Sequence, residues 1–153
     1  MRDNGPVTQR EHRFGEHETL LSATDLKGRI TYANEAFIRV SGFTRDELYG
    51  KAHNLVRHPD MPEAAFADLW ATLHRGATWT GVVKNRCKDG DHYWVRANVT
   101  PVRQGASVVG YLSVRVRPTV AEVQAHERVY REMREGVGGW RIGRGFALRS
   151  GWR

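Results

Sequence analysis

The residues best suited to bind a ligand are a strand amide, Asn85, and the polar residues around Pro59. Alternation along the run Trp79–Lys88 places Asn85 on the same face as the apolar Val83 and Cys87. An amide buried there without hydrogen-bond partners would cost roughly 1–3 kcal/mol. Asn85 therefore bonds either to the backbone, as a structural amide, or to a polar ligand.

Three charged or polar side chains, Arg57, His58 and Asp60, lie close together in the segment Lys51–Met61, which has no hydrophobic periodicity. An arginine can bind a pyrophosphate through two parallel hydrogen bonds, which makes Arg57 a candidate anion contact. The imidazole of His58 could hydrogen-bond to a heterocyclic ring or to a phosphate of a ligand. Asp60 precedes a predicted helix, where its ordinary role is to balance the helix dipole.

Covalent or metal-dependent catalysis is not indicated. The single cysteine, Cys87, excludes an internal disulfide and a zinc site made of thiolates, and we expect it to be a small buried hydrophobe. No Ser/His/Asp arrangement or metal-ligand spacing is apparent. Haem ligation by His53, His58 or His74 is an alternative, but none of these lies in a recognisable haem motif. We therefore expect no enzyme activity.

Composition describes one soluble domain with short extensions. The 153 residues are 40% hydrophobic, enough for a core, and no apolar run is long enough to span a bilayer. The net charge of +7 could suit a nucleic-acid binder. The segment after Gly136, however, supplies +4 of this net charge, because it contains four arginines and no acidic residue. They are Arg141, Arg144, Arg149 and Arg153. Since no helix has a continuous basic face, we expect no nucleic-acid partner.

The polar candidates must be positioned by short strands and helices. Predicted strands are Thr19–Thr24, Ile30–Ala33, Trp79–Lys88, Asp91–Arg103 and Val108–Arg117, and predicted helices are Glu35–Val40, a short one after Thr44, Pro62–Arg75 and Thr119–Glu135. Asn34 is a predicted N-cap, and Thr44 with Glu47 forms a predicted capping box. In the helix Pro62–Arg75 an apolar stripe includes Trp70.

This order predicts an α+β fold: a five-stranded antiparallel sheet with short helices on one face that enclose a ligand pocket, plus a C-terminal exit helix. The predicted domain organisation is a polar lead-in over residues 1–18, a sensor-type domain over 19–118, the exit helix over 119–135 and a basic tail over 136–153.

Several stretches carry a family resemblance. They are Asn34-Glu-Ala-Phe37, Gly42-Phe43-Thr44, Glu47-Leu48-Tyr-Gly50, Asn54-Leu-Val-Arg57-His58-Pro59-Asp60-Met61-Pro62, Val83-Lys-Asn85-Arg and Gly90-Asp-His-Tyr-Trp-Val-Arg-Ala-Asn98. The first three resemble PAS domains in general. Together the stretches resemble the FAD-binding PAS sensor domain of the bacterial aerotaxis receptors, a likeness that extends over nearly the whole chain. The segment before Pro62 lacks the reactive cysteine of the light-sensing LOV branch, so photoadduct chemistry is not expected.

The resemblance implies FAD as cofactor, with FMN less favoured, and a set of contacts. Asn85 would pair with the pyrimidine edge of the flavin, since an amide both donates and accepts. Family positions matching Arg57, His58 and Asp60 are linked to FAD retention. The other candidates for the pocket or its wall are Trp70, Asn34, His53, Asn54, Trp79 and Tyr93.

The implied function is redox or oxygen sensing without turnover. Flavin N5 only accepts hydrogen bonds when oxidised and can donate when reduced, so a neighbouring amide or indole would have to move. Implied partners are a downstream HAMP or signalling domain, the chemotaxis kinase complex and a second copy of the receptor. Implied localisation is the cytoplasmic side of the inner membrane, with the basic tail beside the lipid. The alternative is a cofactor-free PAS module used for dimerisation or protein interaction.

Overall fold

The computed structural model describes residues 3–149. The strands are β1 Leu20–Thr24, β2 Ile30–Ala33, β3 Trp79–Arg86, β4 His92–Gln104, β5 Ser107–Val116, β6 Trp140–Gly143 and β7 Phe146–Arg149. The helices are α1 Glu35–Ser41, α2 Arg45–Leu48, α3 Glu63–His74 and α4 Val120–Glu135, with a 3-10 turn at His53–Val56. The predicted elements agree with these to within one or two residues.

Strands β1 to β5 form one antiparallel sheet in the order β2-β1-β5-β4-β3, which confirms the predicted fold class. Register pairs Asn85 with Tyr93 and Gly81 with Ala97, so these residues share the inner face of the sheet, on which the core lies. Helix α3 packs over that face through the apolar stripe around Phe66 and Leu69.

The predicted caps form at both short helices. The Asn34 side chain accepts from the Phe37 N–H, and Thr44 and Glu47 make the reciprocal pair of a capping box. Asn34 also ties β1 to this helix, because its amide donates to the carbonyl of Thr19. Pro62 was predicted as the first helical residue; it lies instead at the N-cap of α3, one position earlier.

Helix α4 folds back across the outer face of the sheet. Tyr130 stacks on Trp94 and donates from its hydroxyl to the carbonyl of Val82. Val82 and Trp94 are each only 4% exposed. Lys84 lies on the same outer face, where its Nζ donates to Asp60 and Gln9. The exit helix therefore packs against the domain, on the sheet face opposite to α3.

The polar lead-in is extended and anchored. Between Thr8 and His12 its backbone bonds to Gly90 and His92 at the start of β4, and Phe14 is 3% exposed in the core. Asn4 donates to the carbonyls of Asn54 and Arg57. The segment therefore supports the loop that carries Arg57.

The basic tail begins with a hairpin that the sequence did not predict. β6 and β7 pair antiparallel, and the turn between them approaches α3 and the edge strand β3. Trp140 donates from its indole to Glu132 of α4, 2.8 Å away. Arg153, and the predicted membrane-proximal end of the tail, lie outside the described residues.

Candidate functional site

A cavity of about 340 Å³ lies between the inner sheet face and α3. Its volume falls in the range of small-molecule sites, roughly 300–1,000 Å³. The predicted site residues that line it are Asn85, Arg57, Trp70, His53, Asn54 and Trp79. A wall of valines, alanine and aromatic rings surrounds these polar groups, so the cavity is apolar with a few fixed hydrogen-bonding groups.

Asn85 is 6% exposed and lines the cavity from β3. Its position follows from the strand alternation seen in the sequence. The backbone of Arg57 forms an isolated antiparallel bridge with Asn85, which brings the loop and the strand together. An amide and a guanidinium therefore border the same cavity.

No acidic side chain lines the cavity, among the residues that the structure describes, whereas Lys27, Arg57 and Arg115 all do. The Arg57 guanidinium lies over the Phe66 ring, 3.7 Å from its centroid. Burial lowers the pKa of Arg57, an effect that Glu63 partly opposes. A cavity with three cations and no carboxylate in its lining favours an anionic or electron-rich ligand.

Arg115 lies on the sheet floor of this cavity and is 2% exposed. It donates to Ser22 Oγ at 2.8 Å and to Ser113 Oγ at 3.0 Å, and its Nη1 lies 3.1 Å from His53 Nε2. Its guanidinium also covers the Phe37 ring at 4.4 Å. Burial lowers the pKa of Arg115 to about 10, because the cation has left water without meeting a carboxylate.

Three polar atoms that belong to cavity-lining residues are buried without a hydrogen-bond partner in the described chain. They are Thr24 Oγ1, Arg57 Nε and Arg115 Nε. Buried donors and acceptors are nearly always paired in folded proteins. Five more buried atoms without a partner in the described chain belong to residues outside the lining, so this feature does not by itself mark a ligand site.

Two indoles form opposite parts of the wall. Trp70 contacts Tyr111 edge to face, with centroids 5.5 Å apart, and its ring would lie 3.5 Å from a side chain at Gly28. Trp79 is 1% exposed and directs its N–H at Asp68, 2.7 Å away. Because that N–H is already paired within the protein, Trp79 is a wall residue.

Four predicted site residues lie outside the cavity lining. Asn34 is occupied as the cap of α1. Tyr93 is fully buried beside Asn85, and burial raises the pKa of its phenol while Arg115 opposes this. His58 accepts from the Asp60 N–H through Nδ1, and the Asp60 carboxylate binds Lys84 at 2.8 Å. These contacts brace the loop that carries Arg57.

The three histidines considered for haem do not converge. His53 lines the cavity and stacks on Phe37, His58 packs against His92, and His74 packs on Trp70. Within residues 3–149 there is no group of side chains arranged to hold a metal ion.

Acid should destabilise the fold through buried imidazoles. Burial lowers the pKa of His53 to about 3 and the pKa values of His58 and His92 to about 4, with Arg115 adding to the first and Lys84 to the others. All three pKa values are below the ordinary histidine value of about 6.5. Below about pH 6.5 the unfolded chain therefore binds more protons than the folded chain. The contribution of these neutral histidines to the free energy of unfolding is fully present above about pH 6.5 and is lost as the pH falls toward 4.

Urea unfolding at several pH values in this window measures the effect. We expect His58→Gln to flatten the decline and His17→Gln, whose imidazole is 95% exposed, to leave it unchanged. A free energy of unfolding that is constant from pH 7 to pH 5 would contradict the burial of neutral histidines.

The sequence reasoning missed Arg115, Ser22 and Lys27. The signal for Arg115 was present, since alternation along the predicted strand Val108–Arg117 places it on the face of Tyr111. Charged residues on an inner strand face are exceptional unless paired. Nothing local in the sequence marks Lys27 as a cavity residue.

Known proteins share this architecture and much of the sequence. The PAS fold model matches residues 30–115. A solved light-oxygen-voltage domain, studied with a flavin analogue, superposes with a TM-score of 0.66 at 24% identity and covers 77% of this chain and 89% of its own. That likeness shows the fold.

Two curated relatives are informative. The aerotaxis receptor of Escherichia coli K12 is 50% identical over 146 residues, which is 95% of this chain and 29% of the receptor. A nitrogen fixation regulatory protein of Klebsiella pneumoniae is 34% identical over 82 residues, 54% of this chain and 17% of the relative. The chain thus spans less than a third of either relative. With more than half of its length matched by the family model, the chain belongs to the PAS fold family.

Proposed function

We propose that this chain is a flavin-binding sensor domain that holds FAD and reports redox state to a downstream signalling domain. One observation carries the proposal: an aromatic-walled cavity contains a buried amide and three cations, with no carboxylate in the described lining. That combination suits a planar, electron-rich heterocycle joined to phosphate.

The residues fit such a group in three respects. Asn85 supplies a donor and an acceptor, which matches the alternating carbonyl and N–H edge of a flavin ring. Valines and the rings of Trp70 and Tyr111 offer apolar surface to the flat ring system. Arg57 and Arg115 both belong to the lining, and a guanidinium donates to oxygen or nitrogen acceptors.

The choice of FAD over FMN has narrower support. It rests on Arg57, whose guanidinium suits a pyrophosphate, and on the similarity to the aerotaxis receptor. Lys27 is exposed at the same cavity and would add a second cation for phosphate.

Bound flavin would supply electron transfer and, at N5, a hydrogen-bonding group that changes with reduction. This chain's residues would orient the ring and register that change. The similarity to signalling receptors supports action as a non-enzymatic module that passes the signal to another domain. By the same similarity we assign it a HAMP or chemotaxis-type partner, a homodimeric receptor, and the cytoplasmic side of the inner membrane.

The membrane assignment depends on segments other than the described helices. None of the helices in residues 3–149 combines the length and hydrophobicity required of a bilayer span. The basic tail would then lie near anionic lipid, consistent with its arginines.

The test is to purify the protein, add excess FAD, remove unbound cofactor and record the absorption spectrum. We expect a yellow protein with about one flavin per chain, and mass analysis of the heat-released chromophore should identify FAD. A colourless protein after reconstitution would refute the cofactor proposal, and release of FMN would refute only the choice of dinucleotide.

A cofactor-free interaction module is the second candidate. It is favoured by exposed apolar side chains on the part of the outer sheet face that α4 leaves open, including Tyr32, Val102 and Leu112. The same spectrum separates the two, because a module of this kind would remain colourless while forming a complex.

A further inference from the structure

The carboxylate of Asp68, on α3, accepts three N–H groups from two different parts of the chain. The indole of Trp79 donates at 2.7 Å, and the backbone N–H groups of Arg144 and Gly145 donate at 3.0 and 2.7 Å. The last two belong to the turn of the β6–β7 hairpin. One side chain therefore holds the C-terminal hairpin against the wall of the cavity.

The hairpin turn is shaped for this contact. Arg144 and Gly145 have φ values of 54° and 90°, the double positive φ of a type I′ turn, which directs consecutive N–H groups to one point. Gly145 also lies directly against the Thr80 carbonyl of edge strand β3, where a Cβ would be 1.5 Å from the oxygen. Only glycine permits this approach, so the docked position is specific.

Trp79 connects the hairpin to the cavity. Its ring lines the cavity, while its N–H bonds the carboxylate that holds the turn. Gly81 makes room for the ring, since a Cβ there would be 2.4 Å from it. Any ligand that packs on the ring restricts the indole, and a restricted indole keeps Asp68 in place.

We propose that the β6–β7 hairpin is a latch, closed by Asp68, whose closure is coupled through Trp79 to occupancy of the cavity. The identity of the occupant rests on the proposed flavin function, whereas the latch itself does not. By linkage the coupling is reciprocal: a ligand favours the closed hairpin, and closure of the hairpin raises the affinity for the ligand by the same factor. Release of the hairpin would free β6 and β7 from Asp68 and from the edge strand β3.

Limited trypsin digestion measures how often the hairpin is open, because Arg141 and Arg144 are cleavage sites within the hairpin. Site-resolved mass spectrometry gives the cleavage rate there relative to Arg103, an exposed residue near the end of β4. We expect Asp68→Ala to raise the relative rate at least 10-fold and Asp46→Ala, a matched change on α2, to leave it unchanged. An unchanged rate in folded Asp68→Ala protein would overturn the latch.

Two further variants separate the docking of the hairpin on β3 from its coupling to the cavity through Trp79. Gly145→Ala should open the hairpin while Asp68 and Trp79 remain bonded, raising cleavage after Arg141. Trp79→Phe should also raise cleavage after Arg141, since an aromatic ring still lines the cavity but the N–H that bonds Asp68 is lost. Wild-type cleavage in Trp79→Phe protein would overturn the coupling, and this arm needs no flavin.

Flavin supplies the final comparison. Protein loaded with FAD should be cleaved several-fold more slowly in the hairpin than emptied protein, and Asp68→Ala should bind FAD several-fold more weakly. Equal rates in loaded and emptied protein would overturn the coupling even though FAD binds. Failure to take up FAD would refute the proposed function, and the Asp68 and Trp79 variants would still decide on the latch.

Discussion

Replacing Asn85 by leucine should weaken FAD binding by about 10- to 100-fold, the equivalent of one or two lost hydrogen bonds to a buried polar edge. Leucine is close to asparagine in size, and the site is only 6% exposed, so the apolar wall stays filled. The emptied variant should therefore unfold at the wild-type temperature or above it. Titration of emptied protein with FAD, followed by flavin fluorescence, measures the affinity.

The matched control is Asn98→Leu, an exposed amide on the outer sheet face that bonds Thr80. Its FAD affinity should equal that of the wild type. Wild-type affinity in Asn85→Leu would show that the inner-face amide has a purely structural role, and the flavin assignment would lose its main support.

Arg115→Met should have opposite effects on binding and on stability. Removing a charged donor from the cavity floor should lower FAD affinity on the order of 100-fold, because hydrogen bonds from charged groups contribute about 1.5–3 kcal/mol each. The emptied protein should become more stable, since its cation is 2% exposed and has a pKa lowered to about 10. That shift corresponds to a burial cost on the order of 3 kcal/mol.

Urea denaturation of emptied protein and FAD titration give the two quantities for Arg115→Met. Arg103→Met, at an exposed position, should change neither. Loss of stability in emptied Arg115→Met protein would show that its bonds to Ser22 and Ser113 outweigh the cost of burying the charge. Unchanged FAD affinity would place the cation away from the ligand.

Local patterns were sufficient for most of the fold. Turn residues, caps at Asn34 and Thr44 and the apolar stripe around Trp70 each depend on neighbours within a few positions, so they can be predicted from the chain alone. Alternation placed Asn85 correctly for the same reason.

The parts that were missed depend on distant contacts. The hairpin β6–β7 has weak strand character and is held by Asp68, more than 70 positions earlier in the chain. Helix α4 has an ordinary exit-helix sequence, and its return across the sheet depends on pairing Tyr130 with Val82 and Trp94. His58 and Asp60 have the residue types of a ligand site, yet packing against His92 and Lys84 turns them away from the cavity.

The chain's single cysteine makes the latch easy to observe. Cys87 is 4% exposed, its Sγ donates to the Val40 carbonyl, and burial raises the pKa of its thiol to about 12. Thiolate is the reactive form of cysteine, so alkylating reagents should not modify Cys87. Two spin or fluorescent probes can then be attached through introduced cysteines, one on β6 and one on α4, while the native thiol stays in place. The distance between the two probes then measures hairpin movement.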